Sequence, residues 1–192
     1  MNSKELEILK RDIGQARYQH SLRVADKAKK LARIYGEDEE KAYKAGLLHD
    51  CGKFLDKELI LKKVEEFAII VDGLMIDNPE LIHAQLGSSM AELVYGIEDR
   101  DILNSIKFHT TARKDMSCLE KIIFIADFIE PGRIFDPVEE IRQMAYLDLN
   151  KSIIMALDTT IKFLIDEKKT ISTDSIEARN YLKLEEKGFI YD

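Results

Sequence analysis

The chain has 192 residues, of which 45% are hydrophobic and 34% charged, a balance that supports one domain with a sizeable core and excludes a disordered or fibrous chain. A formal charge of −7 argues against a general nucleic-acid binder, although a few cations converging on a pocket can still hold a phosphate compound. The N-terminal stretch mixes charges of both signs, and the longest purely apolar run is Ile122–Ala126, so neither a signal peptide nor a membrane partner is expected. Two cysteines, Cys51 and Cys118, make no disulfide framework, which points to a reducing cytoplasm.

Only 9 glycines and 3 prolines interrupt the chain, about half the usual share, and helix formers dominate between them. A short helix is expected over Glu5–Asp12, followed by a longer one from Gln15 that stops at Gly36. Asp38 caps a helix running through Lys41 and Ala45 to Leu48 and ending near Gly52. Further helices start near Lys57, at Asn78–Pro79, near Asp99, at Ser117 and at Asp136–Pro137, with each proline just inside its helix. Residues 148–168 carry Leu149, Ile153, Ala156 or Leu157, Ile161 and Leu164 at helical spacing, and a last helix covers Asp174–Lys187. Phe67–Ile76 alone could pass for a strand, and we read it as irregular chain or a frayed helix end. The fold class is all-α, a single domain spanning 1–192.

Four histidines fall on four separate helices, each on an apolar face. His20 is in line with Val24, Ala28 and Leu31, and His49 ends an apolar stretch. His83 aligns with Gly87, Met90 and Val94, and His109 with Ile102 and Ile106. One such histidine is usually a satisfied core residue, whereas four together call for a common partner, and a metal is the commonest. Asp127 is a single carboxylate among seven apolar residues in IIFIADFI, so it must be protonated, paired or bound to a metal. Asp50 follows His49 in HDCGK, where Gly52 lets the backbone leave the helix. Nitrogen and oxygen donors without a thiolate pair suit iron, manganese, zinc or cobalt without choosing among them. Cys51 and Cys118 read as packed residues. Arg11, Arg17, Arg23 and Lys27–Lys30 read as a solvated helix face.

The order His20, His49-Asp50, Asp127 resembles the HD-domain metal-dependent phosphohydrolases. RYQHSLRVA, LLHDCGK, LIHAQLG, FHTTA, IADFIEPGR and TDSIEARNYL, taken together over Arg17–Leu182, resemble the YqeK branch of that superfamily. The resemblance implies a compact helical bundle whose metal-site core spans about 15–130, with C-terminal helices at 137–187 completing a nucleotide pocket. It also implies an iron site, possibly of two ions, that cuts diadenosine tetraphosphate at its centre and releases two ADP. His20, His49, Asp50 and Asp127 are then the metal ligands. His83 and His109 would face the phosphates or hold a second metal. Lys53, Thr110 and Arg133 would touch phosphate, and Thr170, Ser172, Thr173, Ser175, Ile176 and Arg179 would lie near the nucleoside, with His20 and Asp127 also close to substrate.

The residues themselves fit metal-assisted hydrolysis. Asp50 and Asp127 would fix the metal that supplies the attacking water, Lys53 and Arg133 would neutralise developing charge, and His83 or His109 would protonate the leaving group. The partner expected is a small nucleotide, and the apolar content leaves room for a homodimer. Three other readings stand beside this one: an HD phosphohydrolase of a nucleoside monophosphate, deoxynucleoside triphosphate or guanosine alarmone; a nucleotide-binding sensor with a structural metal; and an iron oxygenase on the same helices.

Overall fold

The computed structural model describes residues 3–189, and these form ten α-helices and one 3-10 turn with no strand. The first helix, α1 (Ser3–Tyr35), is two helices joined at Gly14, whose backbone at φ 79° and ψ 162° is open to glycine and strained for other residues. The expected break between Asp12 and Gln15 is therefore present as a kink. Helix α2 (Glu39–Leu48) begins where the Asp38 carboxylate accepts from the Glu40 and Lys41 amides. Asp56, Asp99, Ser117 and Asp148 cap α3 (Lys57–Glu66), α6 (Arg100–Lys107), α7 (Cys118–Ile129) and α9 (Leu149–Asp166) in the same way. At α7 the cap is reciprocal, because Glu120 reaches back to the Ser117 amide.

Two expectations are corrected. Residues 67–76 are not wholly irregular: Asp72 caps a short helix, α4 (Gly73–Asp77), through the Met75 amide. Pro79 sits at the first position of the 3-10 turn Pro79–Leu81, which leads into α5 (Ile82–Leu93), as expected of a proline. Pro137, however, precedes α8 (Val138–Met144) as its cap residue. The last helix, α10, covers Thr173–Glu186.

Helix α7 is buried on nearly every side, through Leu119, Ile122, Ile123, Phe124, Ile125, Ala126 and Ile129. A helix that is apolar all round belongs at the centre, and α7 touches α1, α2, α6, α8 and α9. Its Asp127 is carried into the middle of the molecule, beside His20 midway along α1 and His49 at the end of α2. Two glycines permit the close approaches that complete this arrangement. A Cβ on Gly46 would stand 2.8 Å from the Ala25 Cα, and one on Gly52 would stand 2.4 Å from the His83 carbonyl oxygen. Gly52 thus lets the turn after His49-Asp50 lie directly on α5. No helix among the described residues is long and apolar enough to cross a membrane.

Candidate metal centre

The four histidines, placed on four helices by sequence, meet at one point, and all are buried. His20 Nε2 lies 3.3 Å from His49 Nε2 and 3.1 Å from Asp127 Oδ1. His83 Nε2 lies 3.1 Å from His109 Nε2. Asp50 stands between the two pairs. Its Oδ2 faces His20 and His49 at 3.7 and 3.4 Å, and its Oδ1 faces His83 and His109 at 3.2 and 3.5 Å.

Hydrogen bonds on the far side of each ring fix what the near side offers. His49 Nδ1 donates to the Gly46 carbonyl and His109 Nδ1 to the Ile106 carbonyl, both at 2.7 Å. His20 Nδ1 donates to Glu130 Oε1 at 3.2 Å. Each of these three rings therefore turns an unprotonated Nε2 inward, the arrangement in which a second partner orients a metal-binding imidazole. Two bare nitrogens 3.3 Å apart repel unless a cation lies between them. Ligand atoms about 2.1 Å from one ion, at angles of about 90–110°, are about 3.0–3.4 Å apart, close to the spacings here. Three groupings bring their ligand atoms within 4.8 Å of one another: His20–His49–Asp50, His49–His109–Asp127 and Asp50–His83–His109. The donor set fits a divalent metal. HD domains are metal-dependent, and these clusters are able to hold the ion.

The electrostatics agree. Burial pushes the Asp50 carboxyl up, but His49, His109 and His83 together hold it well below the usual range. Burial likewise opposes ionisation of Asp127, and His20, His49 and Arg133 overcome it. Burial would lower His49, yet Asp50 and Asp127 raise it, a sign that this spot favours positive charge. His83 differs: burial lowers its pKa, and its Nδ1 has no hydrogen-bond partner.

One reading of the sequence is overturned by this geometry. Arg17 and Arg23 are not part of a solvated face, because Arg17 Nη1 donates to Asp50 Oδ2 at 3.0 Å and Arg23 Nε to Glu130 Oε2 at 2.6 Å. Both sit three residues from His20 on the same helix, and that spacing was the available signal. Lys29 and Arg33 of the same helix do pair at the surface, with Glu40 and Glu39. Glu130 was also missed. It is buried and accepts from His20, Arg23 and the Gly132 amide, the last at 2.7 Å. A Cβ on Gly132 would stand 2.8 Å from both Glu130 Oε1 and Arg23 Nη2, so a larger residue in IEPGR would displace this pair.

Around the mouth, Arg133 Nη2 donates to Asp127 Oδ1 at 2.7 Å, and Lys53 Nζ reaches Glu80 at 3.4 Å. Lys53, Thr110 and Arg133 line a cleft of about 240 Å³ that exposes Asp50, His83, His109 and Asp127. Thr110 also borders a recess formed by Ser172 and by Asp72, Leu74 and Met75 of the α4 region. Nearby, the Ser175 hydroxyl donates to the Thr111 carbonyl and the Thr170 hydroxyl to Asp77. Arg179 pairs with Asp158, while Thr173 and Ile176 are exposed on the first turn of α10. Cys51 is packed, its thiol donating to the Gly87 carbonyl and pushed up by burial; Cys118 is half-buried.

The HD domain model matches residues 17–132, the stretch that supplies every one of these ligands. The chain belongs to the HD-domain family. Within it the chain falls on the YqeK branch. It is 43% identical over 188 residues to a symmetrical bis(5'-nucleosyl)-tetraphosphatase of Halalkalibacterium halodurans, covering 96% of this chain and 98% of that one. It is 37% identical over 183 residues to the protein of the same name from Bacillus subtilis, covering 95% and 98%. The crystal structure of a predicted HD superfamily hydrolase involved in NAD metabolism, from Clostridium acetobutylicum, superimposes with a TM-score of 0.90 at 47% identity, over 96% of this chain and 98% of that one. As an HD-domain protein of this branch, the chain is a hydrolase.

Proposed function

We propose that this HD-domain hydrolase cuts dinucleoside tetraphosphates at the central anhydride, turning diadenosine tetraphosphate into two ADP. The observation that carries the reading is end-to-end similarity to proteins named symmetrical tetraphosphatases, joined to a buried His/Asp cluster open to a cleft that Lys53 and Arg133 line. In the reaction, the oxygen of water bonds to one central phosphorus, the bridging P–O bond breaks, and the departing diphosphate takes up a proton.

His20, His49, Asp50 and Asp127 would hold the principal metal, iron being the first candidate, with His83, His109 and the second oxygen of Asp50 as a further set. When bound, the metal lowers the pKa of water from about 15.7 to near 7 and so supplies hydroxide at neutral pH. Lys53, Thr110 and Arg133 bind the phosphates and oppose the charge that develops on them. Arg17 adds a fourth group on the other side of Asp50. With no second ion held there, His83 would deliver the proton from Nε2, since its Nδ1 has no backbone lock while His109 Nδ1 is held by Ile106. Ser172, which precedes α10, and Thr173, Ser175 and Ile176 of its first turn, with Thr170, border one nucleoside, and α4 roofs the same recess; Arg179, paired with Asp158, would lie by the other nucleoside.

Incubating metal-loaded protein with diadenosine tetraphosphate and resolving the nucleotides by anion exchange tests this. ADP as sole product supports it; AMP with ATP refutes central cleavage, and no turnover refutes the assignment. Because the Clostridium relative is described as involved in NAD metabolism, hydrolysis of another nucleotide is the second reading, which a substrate panel separates.

A further inference from the structure

A symmetrical dinucleotide cut at its centre places one nucleoside on each side of the metal, and the α10 recess accounts for only one. The mouth of the metal site meets that recess at Leu81 and Thr110. At Phe128, Arg133 and Thr160 it meets a different and larger cleft, of about 900 Å³, between α9 and the segment before α8. This cleft is lined by Phe128, Phe135 and Phe163, with Arg133 at its inner end and Asp158 at its rim. Phe128 and Phe135 meet edge to face with ring centroids 5.3 Å apart, and Phe163 is 54% exposed. An exposed aromatic cleft that opens onto a phosphate-binding mouth through an arginine is built for a base followed by a phosphate, because every base offers a ring face to stack.

We propose that this cleft receives the second nucleoside of the dinucleoside tetraphosphate, its base against Phe163 and Phe135 and its adjoining phosphate at Arg133. The inference rests on the tetraphosphatase reading above. Asp158, already paired with Arg179, and Asp136 and Asp166 line the cleft as acceptors for ribose hydroxyls.

The test compares two substrates that share four phosphates: diadenosine tetraphosphate and adenosine 5'-tetraphosphate, which lacks the second nucleoside. ADP release is followed with metal-loaded protein. Wild type should show a KM at least about fivefold lower for the dinucleotide, the lower end of what one base–aromatic stack is worth. Phe163→Ala should bring the two KM values together, and Phe135→Ala should do so in part; thermal melting verifies that both variants fold. Equal KM values in wild type overturn the cleft assignment while leaving the tetraphosphatase standing, as does a ratio unchanged in both variants. If Phe163→Ala instead turns a dimer into a monomer in sedimentation and leaves the ratio untouched, the cleft is an interface between copies and the inference fails. Turnover of neither substrate by wild type refutes the parent reading and the inference with it.

Discussion

Replacing Glu130 by glutamine tests whether the metal centre depends on a residue that cannot touch the metal. Glu130 Oε2 accepts from Arg23 Nε and the Gly132 amide at 2.6 and 2.7 Å, while Oε1 accepts from His20 Nδ1 at 3.2 Å. A glutamine has one acceptor oxygen. With that oxygen facing the two shorter donors, its NH2 faces His20 Nδ1. The imidazole then rotates away or moves its proton to Nε2, and either change removes the lone pair aimed at the cluster. Partners of this kind are worth about 10–100-fold in metal affinity, or about 1.4–2.7 kcal/mol. Competition against a chelator, with iron or manganese, should show that loss in Glu130→Gln. Activity at saturating metal should recover more fully than in His20→Ala, which lacks the ligand itself. Unchanged metal affinity together with a lower melting temperature of the metal-free protein would refute the argument and leave Glu130 a packing residue.

Gly52→Ala should destabilise the protein by about 1–3 kcal/mol, the usual cost of overpacking, since the new Cβ meets backbone of α5 on two sides; an unchanged urea midpoint would contradict the close approach. Stripping the metal should lower the melting temperature by about 5–10 °C relative to protein at about a hundredfold over Kd, and Asp50→Asn should abolish that difference. For Glu130, burial raises the carboxyl pKa, but Arg23, the Gly132 amide and His20 more than offset this and hold it below the usual glutamate value. Its stabilising contribution is therefore present above the unfolded value of about 4.3 and lost as the pH falls through the lower folded value. Metal-free Glu130→Gln should accordingly show a shallower loss of stability than wild type below about pH 4.3, measured by urea denaturation across that range.

Most of the fold was legible because its helix starts are written locally. Asp38, Asp99, Ser117 and Asp148 each bond an amide of the following turn, and such caps need no tertiary context. The histidines were legible because a polar residue on an apolar stripe stands out against its neighbours. Arg17 and Arg23 were not, for the opposite reason: an arginine on a polar stripe resembles every other surface cation. Only knowing that His20 points into a site gives the i−3 and i+3 positions meaning. Glu130, following the last residue of α7, looks like an ordinary exposed helix end until the chain folds back at Gly132. Helix α4 was missed because it buries no residue, leaving hydrophobic periodicity nothing to detect.

An acidic chain with an anionic substrate poses a question of sign that the site itself answers. Each carboxylate of the centre has its own arginine: Arg17 with Asp50, Arg23 with Glu130, Arg133 with Asp127. These carboxylates expose 3%, 3% and 19% of their side chains, the arginines 36%, 40% and 40%. Negative charge is thus turned inward, toward the imidazoles, and the arginines outward, Arg133 among them toward the cleft that Lys53 also lines. The net −7 is spread over the molecule, and at about 0.15 M salt charges more than about 8 Å apart are largely screened, so an approaching tetraphosphate meets the local cations most strongly. Raising potassium chloride from about 0.02 to about 0.3 M weakens that local attraction, and kcat/KM should fall by a few-fold to about tenfold. A rise in kcat/KM over the same range would mean that overall repulsion governs the encounter and that these arginines serve the carboxylates alone.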